Sequence, residues 1–134
     1  GTDLYFMDIA WADSIEGYGD YVENPEGVFL RGGRGYVYME LAGFTTEYHE
    51  ETGRYRLDVA VDLRLAASFG LTLMRENDVI EYVDEMRAAP ESIWFYIWVE
   101  PPSWAPRGTY LAEVTVRDRI ANTKLVYSAP VTLR

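Results

Sequence analysis

Hydrophobic and polar residues alternate with a period of two along much of the chain. The clearest example is Arg54–Arg64, where every second residue is apolar and those between are charged, apart from Ala60. The apolar set is Tyr55, Leu57, Val59, Val61 and Leu63. Because successive side chains of a strand point to opposite faces of a sheet, this segment predicts a strand with one buried face and one solvated face.

Further segments show the same alternation and predict strands. Four are firm, namely Tyr36–Leu41, Ile93–Glu100, Thr109–Arg117 and Lys124–Leu133, and two are weaker, namely Leu4–Ile15 and Leu71–Arg75. Pro130 has no amide hydrogen to donate, so we expect the last strand to lie at an edge or to be bulged there. Segments rich in Gly and Pro separate the strands, as turns require.

Residues 76–89 fit neither period well. Val79, Val83 and Met86 stand at helical spacing, but acidic residues occur throughout the segment. A short amphipathic helix and an edge strand are both open alternatives. We expect an irregular crossover between strands here.

Five firm strands and two weak ones are typical of a β-sandwich or barrel. Seven to eight strands in 134 residues favour an all-β, immunoglobulin-like antiparallel β-sandwich, with residues 1–134 as a single domain. Residues 1–16 are expected to be an acidic N-terminal segment or the first strand. The chain opens on Gly1 and Thr2 without a methionine, which predicts that it was cut from a longer reading frame.

The charge balance narrows the range of partners. The chain has 12 Lys and Arg residues against 22 Asp and Glu residues, a net charge of −10, which repels phosphate backbones and argues against a nucleic-acid partner. No apolar run approaches the roughly 18 residues of a membrane helix, so we expect no membrane insertion by this segment. Residues 1–30 carry seven acids and no base. They are either simply solvated or a docking surface for a basic partner or a cation.

The chain has few side chains that could act as catalytic groups. The chain has no cysteine, one histidine (His49) and one lysine (Lys124), and no serine lies in a Gly-x-Ser-x-Gly turn. Asp58 and Asp62 share a strand face with arginines, so we expect them to be salt-bridged rather than to act as a glycosidase pair. We therefore predict that the protein is not an enzyme. No cofactor is expected, with calcium at 76–78 and 84–85 as a weak possibility.

The strand at Ile93–Glu100 is apolar on both faces. Trp94, Tyr96 and Trp98 lie opposite Ile93, Phe95, Ile97 and Val99. One face fills the core, and the other needs a cover, because large exposed apolar patches are rare on soluble monomers. We expect the 76–89 crossover or the N-terminal segment to cover it. A subunit or domain contact and a platform for sugar rings, joined by Trp104, are the alternatives, and these four aromatic residues are the candidate ligand or partner face.

A closing module lies at Pro106–Asp118 and resembles that of secreted β-sandwich domains. Tyr110 is similar to the tyrosine-corner residue of immunoglobulin-like folds, which buries its ring and binds a backbone group through its hydroxyl. Asp118 is expected to accept hydrogen bonds from the turn that follows, Arg119–Thr123.

A wider set of features also matches a known group. It consists of 17–21 (Gly-Tyr-Gly-Asp-Tyr), Gly32-Gly33, Val37–Leu41 and Phe44. Together with the closing module it resembles the uncharacterised immunoglobulin-like sandwich domains of exported or membrane-anchored bacterial proteins, planctomycete-type ones especially, over residues 17–133. The resemblance implies an extracytoplasmic location (periplasmic, cell-surface or secreted) and implies no activity. Trp104 departs from it, because a leucine is expected there.

The sequence thus favours a non-catalytic immunoglobulin-like module of a larger exported protein. Its predicted role is protein–protein contact, assembly or spacing, with a protein partner or a neighbouring domain of the same polypeptide. The alternative is a carbohydrate-binding module that uses the aromatic residues as a platform for a glycan.

Overall fold

Strands make up all the regular structure of residues 3–134, the part of the chain that the computed structural model describes. The strands are β1 (Tyr5–Gly17), β2 (Asp20–Glu23), β3 (Val28–Phe29), β4 (Gly35–Ala42), β5 (Glu47–His49), β6 (Arg54–Ala67), β7 (Thr72–Met86), β8 (Ser92–Val99), β9 (Gly108–Asp118) and β10 (Thr123–Leu133). In the described residues there is no helix of the length and hydrophobicity that a membrane span needs. The prediction about Gly1 lies outside the described residues.

The strands form two sheets. The first sheet has the order β2-β1-β4-β8, and the second has the order β3-β10-β9-β6, with β7 pairing along the other side of β6 and β5 pairing with the start of β6. All described pairs are antiparallel except β3 with β10, which is parallel. Seven strands have eight residues or more, and β2, β3 and β5 are short. The predicted all-β sandwich is therefore confirmed.

The core lies between the sheets and is built from the alternating apolar positions of the long strands. Leu57, Val59 and Val61 of β6 are fully buried, as the period-two pattern predicts. They pack in one cluster with inward residues of the other strands, including Val37, Met39, Leu41, Phe95, Ile97, Val114 and Val116. Burial of these side chains is the main stabilising contribution, since each contributes roughly 1.5–3 kcal/mol when removed from water.

The expected irregular crossover at 76–89 is wrong. Residues 72–86 form β7, the longest strand, which pairs with β6 and belongs to the second sheet. The period-two alternation did not predict β7 because the strand contains a bulge. Val61 lies opposite Ile80 and Leu63 lies opposite Glu76, so the three residues 77–79 of β7 face Asp62 alone, and this insertion interrupts the alternation within the strand. At the N-terminus, 5–17 form β1, so the first-strand alternative describes these residues.

The closing module folds as the sequence predicts. The Tyr110 ring is buried with 7% of the residue exposed, and its hydroxyl donates a hydrogen bond of 2.6 Å to the carbonyl oxygen of Pro106. Asp118, which is 1% exposed, accepts hydrogen bonds from the amides of Ile120 and Ala121. It also accepts one of 2.7 Å from the Thr45 amide, which ties the end of β9 to the connection between β4 and β5.

Pro130 lies within β10 opposite Leu111 and causes no break in that pairing. The Thr132 amide, two residues further on, bonds the Gly27 carbonyl on the outer side of β10. Because residues two apart point the same way along a strand, the Pro130 nitrogen also faces the outer side, where no donor is required. The edge alternative for Pro130 is confirmed.

Candidate binding cleft between strands β7 and β8

A cleft of about 490 Å³ opens where the edge strand β8 of the first sheet faces the edge strand β7 of the second. We call it the aromatic cleft. Its lining residues are Glu76, Val79, Ile80 and Tyr82 of β7 and Trp94, Phe95, Tyr96, Ile97 and Trp98 of β8. The cleft exists because no strand of residues 3–134 joins these two edges, so the space between the sheets is open to solvent on this side.

The floor of the aromatic cleft is continuous with the hydrophobic core. Phe95 and Ile97 are each 4% exposed and belong to the core cluster. The Tyr82 ring contacts the Phe95 ring, with centroids 6.0 Å apart and a tilt of 51°. Burial, with a smaller contribution from the Asp84 charge, raises the pKa of Tyr82, so its hydroxyl stays a neutral donor and acceptor in the cleft.

The rim of the aromatic cleft is formed by the outer face of β8. Trp94, Tyr96 and Trp98 are 36%, 39% and 52% exposed. The expectation that the 76–89 segment covers this face is wrong, because β7 lies in the other sheet. The Arg34 guanidinium lies 4.4 Å from the centre of the Trp98 ring and is held there by an ion pair of 2.8 Å with Glu100.

The N-terminal hairpin of β1 and β2 covers the neighbouring part of the first sheet. The Tyr21 ring stacks on Tyr38 at 4.2 Å, and Tyr38 in turn faces Trp94 at 6.1 Å. Tyr18, at the hairpin turn, stacks on Trp94 at 6.2 Å. As a result Tyr38 is fully buried and Trp94 is partly covered. Tyr96 is exposed to a similar extent and packs edge-on against Tyr36, with ring centroids 6.0 Å apart. The N-terminal segment thus provides a part of the expected cover.

Hydroxyl groups hold this hairpin in place. Tyr21 donates a hydrogen bond of 2.7 Å to the Asp8 carboxylate. Tyr38 donates one of 2.8 Å to Glu40 and accepts one of 2.7 Å from the Gly19 amide. The bond to Asp8 raises the pKa of Tyr21 to about 12, and burial raises the pKa of Tyr38 to about 12. Both hydroxyls therefore keep their protons, and their hydrogen bonds, well above neutral pH.

The bulge in β7 determines which side chains reach the aromatic cleft. Asp78 has a φ of 54°, in the left-handed region, and its amide bonds the Asp62 carboxylate at 2.9 Å. Arg117 of β9 forms ion pairs with both Asp62 and Asp78. Val79 lies within the bulge, and both it and the following residue Ile80 line the cleft.

Three of the four aromatic residues of the candidate face come together at the aromatic cleft, and Trp104 does not. Trp104 is 68% exposed in the turn after β8 and is not part of the lining. The sequence pattern does not place Glu76, Val79, Ile80 or Tyr82 at the site, because it predicts a crossover at 76–89. The period-two pair Ile80 and Tyr82 was the available signal, but the bulge before it breaks the alternation.

The other candidate side chains are engaged with neighbours. Asp58 pairs with Arg56 at 3.2 Å and with Arg119 at 2.7 Å. Asp62 is held by Arg117 at 2.9 Å, so both carboxylates of the considered catalytic pair lie in salt bridges. His49 ends β5 with 40% of its side chain exposed, and its Nε2 lies 3.0 Å from the Glu47 carboxylate.

The segments named for calcium do not converge. Within residues 3–134, no three His, Cys, Asp or Glu side chains cluster in a way that could hold a metal ion. Asp78 is occupied by Arg117, and Asp84 accepts a hydrogen bond of 2.8 Å from the Glu85 amide.

Comparison with known proteins gives a fold and no family. No family model matches the chain, and no curated protein matches it. Among solved structures, the Niemann-Pick type C2 protein from Japanese carpenter ant is similar with a TM-score of 0.62 and 9% identity, covering 100% of this chain and 96% of that one. The C-terminal domain of wzt is similar with a TM-score of 0.61 and 12% identity, covering 100% and 75%. These likenesses confirm the predicted immunoglobulin-like β-sandwich.

A third similar structure is the Pseudomonas fluorescens alkylpurine DNA glycosylase AlkC bound to DNA containing an abasic site analog. Its TM-score is 0.55 and its identity is 13%, and the match covers 100% of this chain but 31% of that one. At identities this low, each of these structures shows a common fold and nothing finer.

Proposed function

We propose that this chain is a non-catalytic binding module of a larger exported protein, and that the aromatic cleft is where it contacts a protein partner or a neighbouring domain. The observation that carries the proposal is the open rim of Trp94, Tyr96 and Trp98 beside a cleft of about 490 Å³. Concave apolar surfaces with a few polar groups are the usual form of a binding site. Tryptophan and tyrosine are also the residues that most often dominate interface energetics.

The composition of the aromatic cleft supports binding rather than catalysis. Glu76 is the one carboxylate among its described lining residues, and no histidine or lysine joins it. A general acid–base mechanism of the glycosidase kind needs two positioned carboxyl groups. The extracytoplasmic location remains part of the proposal and rests on the sequence resemblance alone.

A glycan is the second candidate ligand. It is favoured by the flat rings of Trp94 and Trp98, which lie on the same face of β8 and offer surfaces on which sugar rings stack. Against it, the Arg34 guanidinium already lies against Trp98, which leaves less of that ring for a sugar.

The test is a side-by-side binding screen of the intact chain on a glycan array and on a displayed library of extended peptides. The cleft variant is the double substitution Trp94→Ala and Trp98→Ala, and the matched control is Trp104→Ala, which removes an exposed tryptophan outside the cleft. We expect ligands that bind the wild type and the control, and that lose at least about tenfold in affinity with the double variant. Single Trp98→Ala serves if the double variant is unstable. Ligands that bind all variants equally would overturn the proposal.

A further inference from the structure

Exposed sheet edges invite pairing with other chains, and most edges of this sandwich are protected. At the far edge of the first sheet, β2 has four residues and two breaks of register with β1. At the far edge of the second sheet, β3 has two residues and β10 carries Pro130. The edge strand β7 carries a bulge and many charges. Short strands, proline, bulges and charges are the devices by which natural proteins block edge-to-edge pairing.

The edge strand β8 has none of these devices. It spans eight residues, Ser92–Val99, with no charge, no proline and no glycine. Its pairing with β4 runs without a break of register from Gly35 opposite Val99 to Ala42 opposite Ser92. On its other side, no described strand pairs with it. Every second residue of β8 therefore presents its amide and carbonyl groups to the open side, as a template for another strand.

A strand added to β8 would also find partners for its side chains. Side chains on one of its faces would lie beside the exposed Trp94, Tyr96 and Trp98. Side chains on its other face would enter the aromatic cleft above Ile80 and Tyr82 of β7. Such a strand would bury the open rim and close the gap between the sheets. Addition of a strand to an exposed edge is a common mode of peptide recognition, in which alternate side chains give the specificity.

The charge around the aromatic cleft indicates the chemistry of the partner. Residues 72–91 carry six acids and two arginines, whereas β8 carries no charge. Two of these acids, Asp78 and Glu81, are neutralised by Arg117 and Arg119. The net field at the cleft is negative and favours a cationic partner. A second copy of the chain fits poorly, because pairing two β8 edges would bring two acidic β7 strands together in molecules of net charge −10.

The geometry points to β8 as the docking edge for an extended partner segment in which apolar residues alternate with Lys or Arg. The apolar side chains enter the aromatic cleft, the basic ones lie on the outer face beside Trp94, Tyr96 and Trp98, and the backbone pairs with β8. The negative charge of the surrounding surface attracts these basic side chains. This inference rests on the proposed function, since it names the kind of protein partner that the aromatic cleft takes.

The experiment uses end-capped ten-residue peptides, titrated against the intact chain with tryptophan fluorescence as the readout. The probe alternates valine and lysine. One comparison peptide alternates valine and glutamate, and another is the probe methylated on alternate backbone nitrogens so that it cannot pair along one edge. We expect the probe to bind at least about tenfold more tightly than either comparison peptide, and to weaken as salt rises. Amide hydrogen exchange should slow at alternate residues of Ser92–Val99 when the probe is bound.

A pair of charge variants locates the binding. Glu76→Lys reverses the carboxylate in the aromatic cleft, and Glu26→Lys makes the same change at an exposed residue elsewhere. We expect the first to weaken probe binding about tenfold and the second to change it less than about twofold. Equal effects of both variants would show that only the net charge matters and would overturn the inference.

The remaining outcomes separate the inference from the proposed function. If a glycan binds, depends on Trp94 and Trp98, and the probe peptide does not bind, the cleft is a binding site but the inference fails. If the free chain is a dimer with β8 amides already protected, the partner is a second copy and the inference also fails. If no ligand depends on the cleft residues, both fail together. Equal binding of the methylated peptide would exclude strand addition.

Discussion

Tyr110 and Asp118 stand near the two ends of β9, and each satisfies backbone groups that the strand ladder does not reach. The Tyr110 hydroxyl binds the Pro106 carbonyl in the turn before the strand. The Asp118 carboxylate binds two amides of the turn after it and one amide of another connection. Buried backbone groups left without a partner cost about 1–3 kcal/mol each, so both residues should matter for stability.

Truncation of Tyr110 should be severe. We expect Tyr110→Ala to lower the free energy of unfolding by about 3–5 kcal/mol, because it removes a buried aromatic ring. Tyr110→Phe should cost about 1 kcal/mol, because only the hydrogen bond to Pro106 is lost. Urea melts of both variants give the comparison, with Leu111→Ala as the control on the opposite, more exposed face of the strand. Small and equal losses for the two Tyr110 variants would mean that the ring does not support the core.

Removal of the Asp118 carboxylate should also destabilise the fold. We expect Asp118→Ala to cost roughly 2–4 kcal/mol, since each hydrogen bond to a charged group contributes about 1.5–3 kcal/mol. Asp118→Asn should cost less, because an amide oxygen still accepts hydrogen bonds. The control is Asp13→Ala, at an exposed carboxylate, which should stay within about 0.5 kcal/mol of the wild type. If thermal or urea unfolding shows that Asp118→Ala loses no more stability than this control, the stabilising role of the Asp118 carboxylate is contradicted.

At the scale of elements, the hairpin of β1 and β2 is attached to the first sheet by stacked tyrosines. Tyr21 covers Tyr38, and the hydroxyls of both are bonded to carboxylates, those of Asp8 and Glu40. The hairpin therefore buries one part of the aromatic surface of the first sheet and leaves the rim of the aromatic cleft exposed.

This attachment predicts a loss of stability at alkaline pH. The ordinary tyrosine pKa is 10.0, whereas the pKa of both Tyr21 and Tyr38 is about 12 in the folded chain. Between these values the unfolded chain releases the protons and the folded chain keeps them. The folded state then binds more protons, so the free energy of unfolding falls as the pH rises from 10 towards 12.

Two variants at the hairpin test the alkaline effect. Tyr21→Phe removes one of the two groups, so the fall in stability between pH 10 and 12 should become shallower. Asp8→Asn removes the charge and the ionic hydrogen bond that raise the pKa of Tyr21, and should act in the same direction. Chemical denaturation at a series of pH values measures the slope, with each variant's own value at pH 7 as its reference. Unchanged slopes in both variants would contradict the assignment to Tyr21.

At the scale of the whole molecule, the two sheets of the sandwich have different kinds of edge strand at their two ends. On one side, β2, β3 and β10 are short or carry Pro130, while on the other β7 and β8 leave the aromatic cleft open. The same asymmetry places the acidic β7 beside the uncharged β8. The cleft therefore combines an apolar surface, a free backbone edge and a negative field.

The absence of helices from the described residues predicts the far-ultraviolet circular dichroism of the chain. We expect an all-β spectrum with a helical content below about one seventh, well under the roughly one third of an average globular protein. The measurement should be made on the protein in neutral buffer, where the hydrogen-bonded tyrosines are protonated. A helical content near the average would contradict the fold.

The alternation of apolar and polar residues predicts some strands and misses others, and the difference has a physical reason. In β6 an unbroken alternation over Arg54–Arg64 predicts both the strand and its buried face, because period two is a local property of extended backbone. In β7 the residues inserted around Asp78 interrupt the alternation, so the same test fails on a strand of 15 residues. The aromatic face at Trp94, Tyr96 and Trp98 follows from the alternation within Ile93–Glu100, but that local pattern does not show that the hairpin of β1 and β2 covers only a part of it.

The sequence by itself determined the long strands other than β7, most of their inward faces, and the local hydrogen-bonding roles of Tyr110 and Asp118, because each depends on neighbours within a few residues along the chain. Only the tertiary structure decided that β7 and β8 are edges facing one another, that Tyr21 covers Tyr38, and that Arg117 holds the bulge of β7. These contacts join residues far apart in sequence. Which edges remain unpaired follows from the order of strands in both sheets, and local alternation of side chains carries no information about that order.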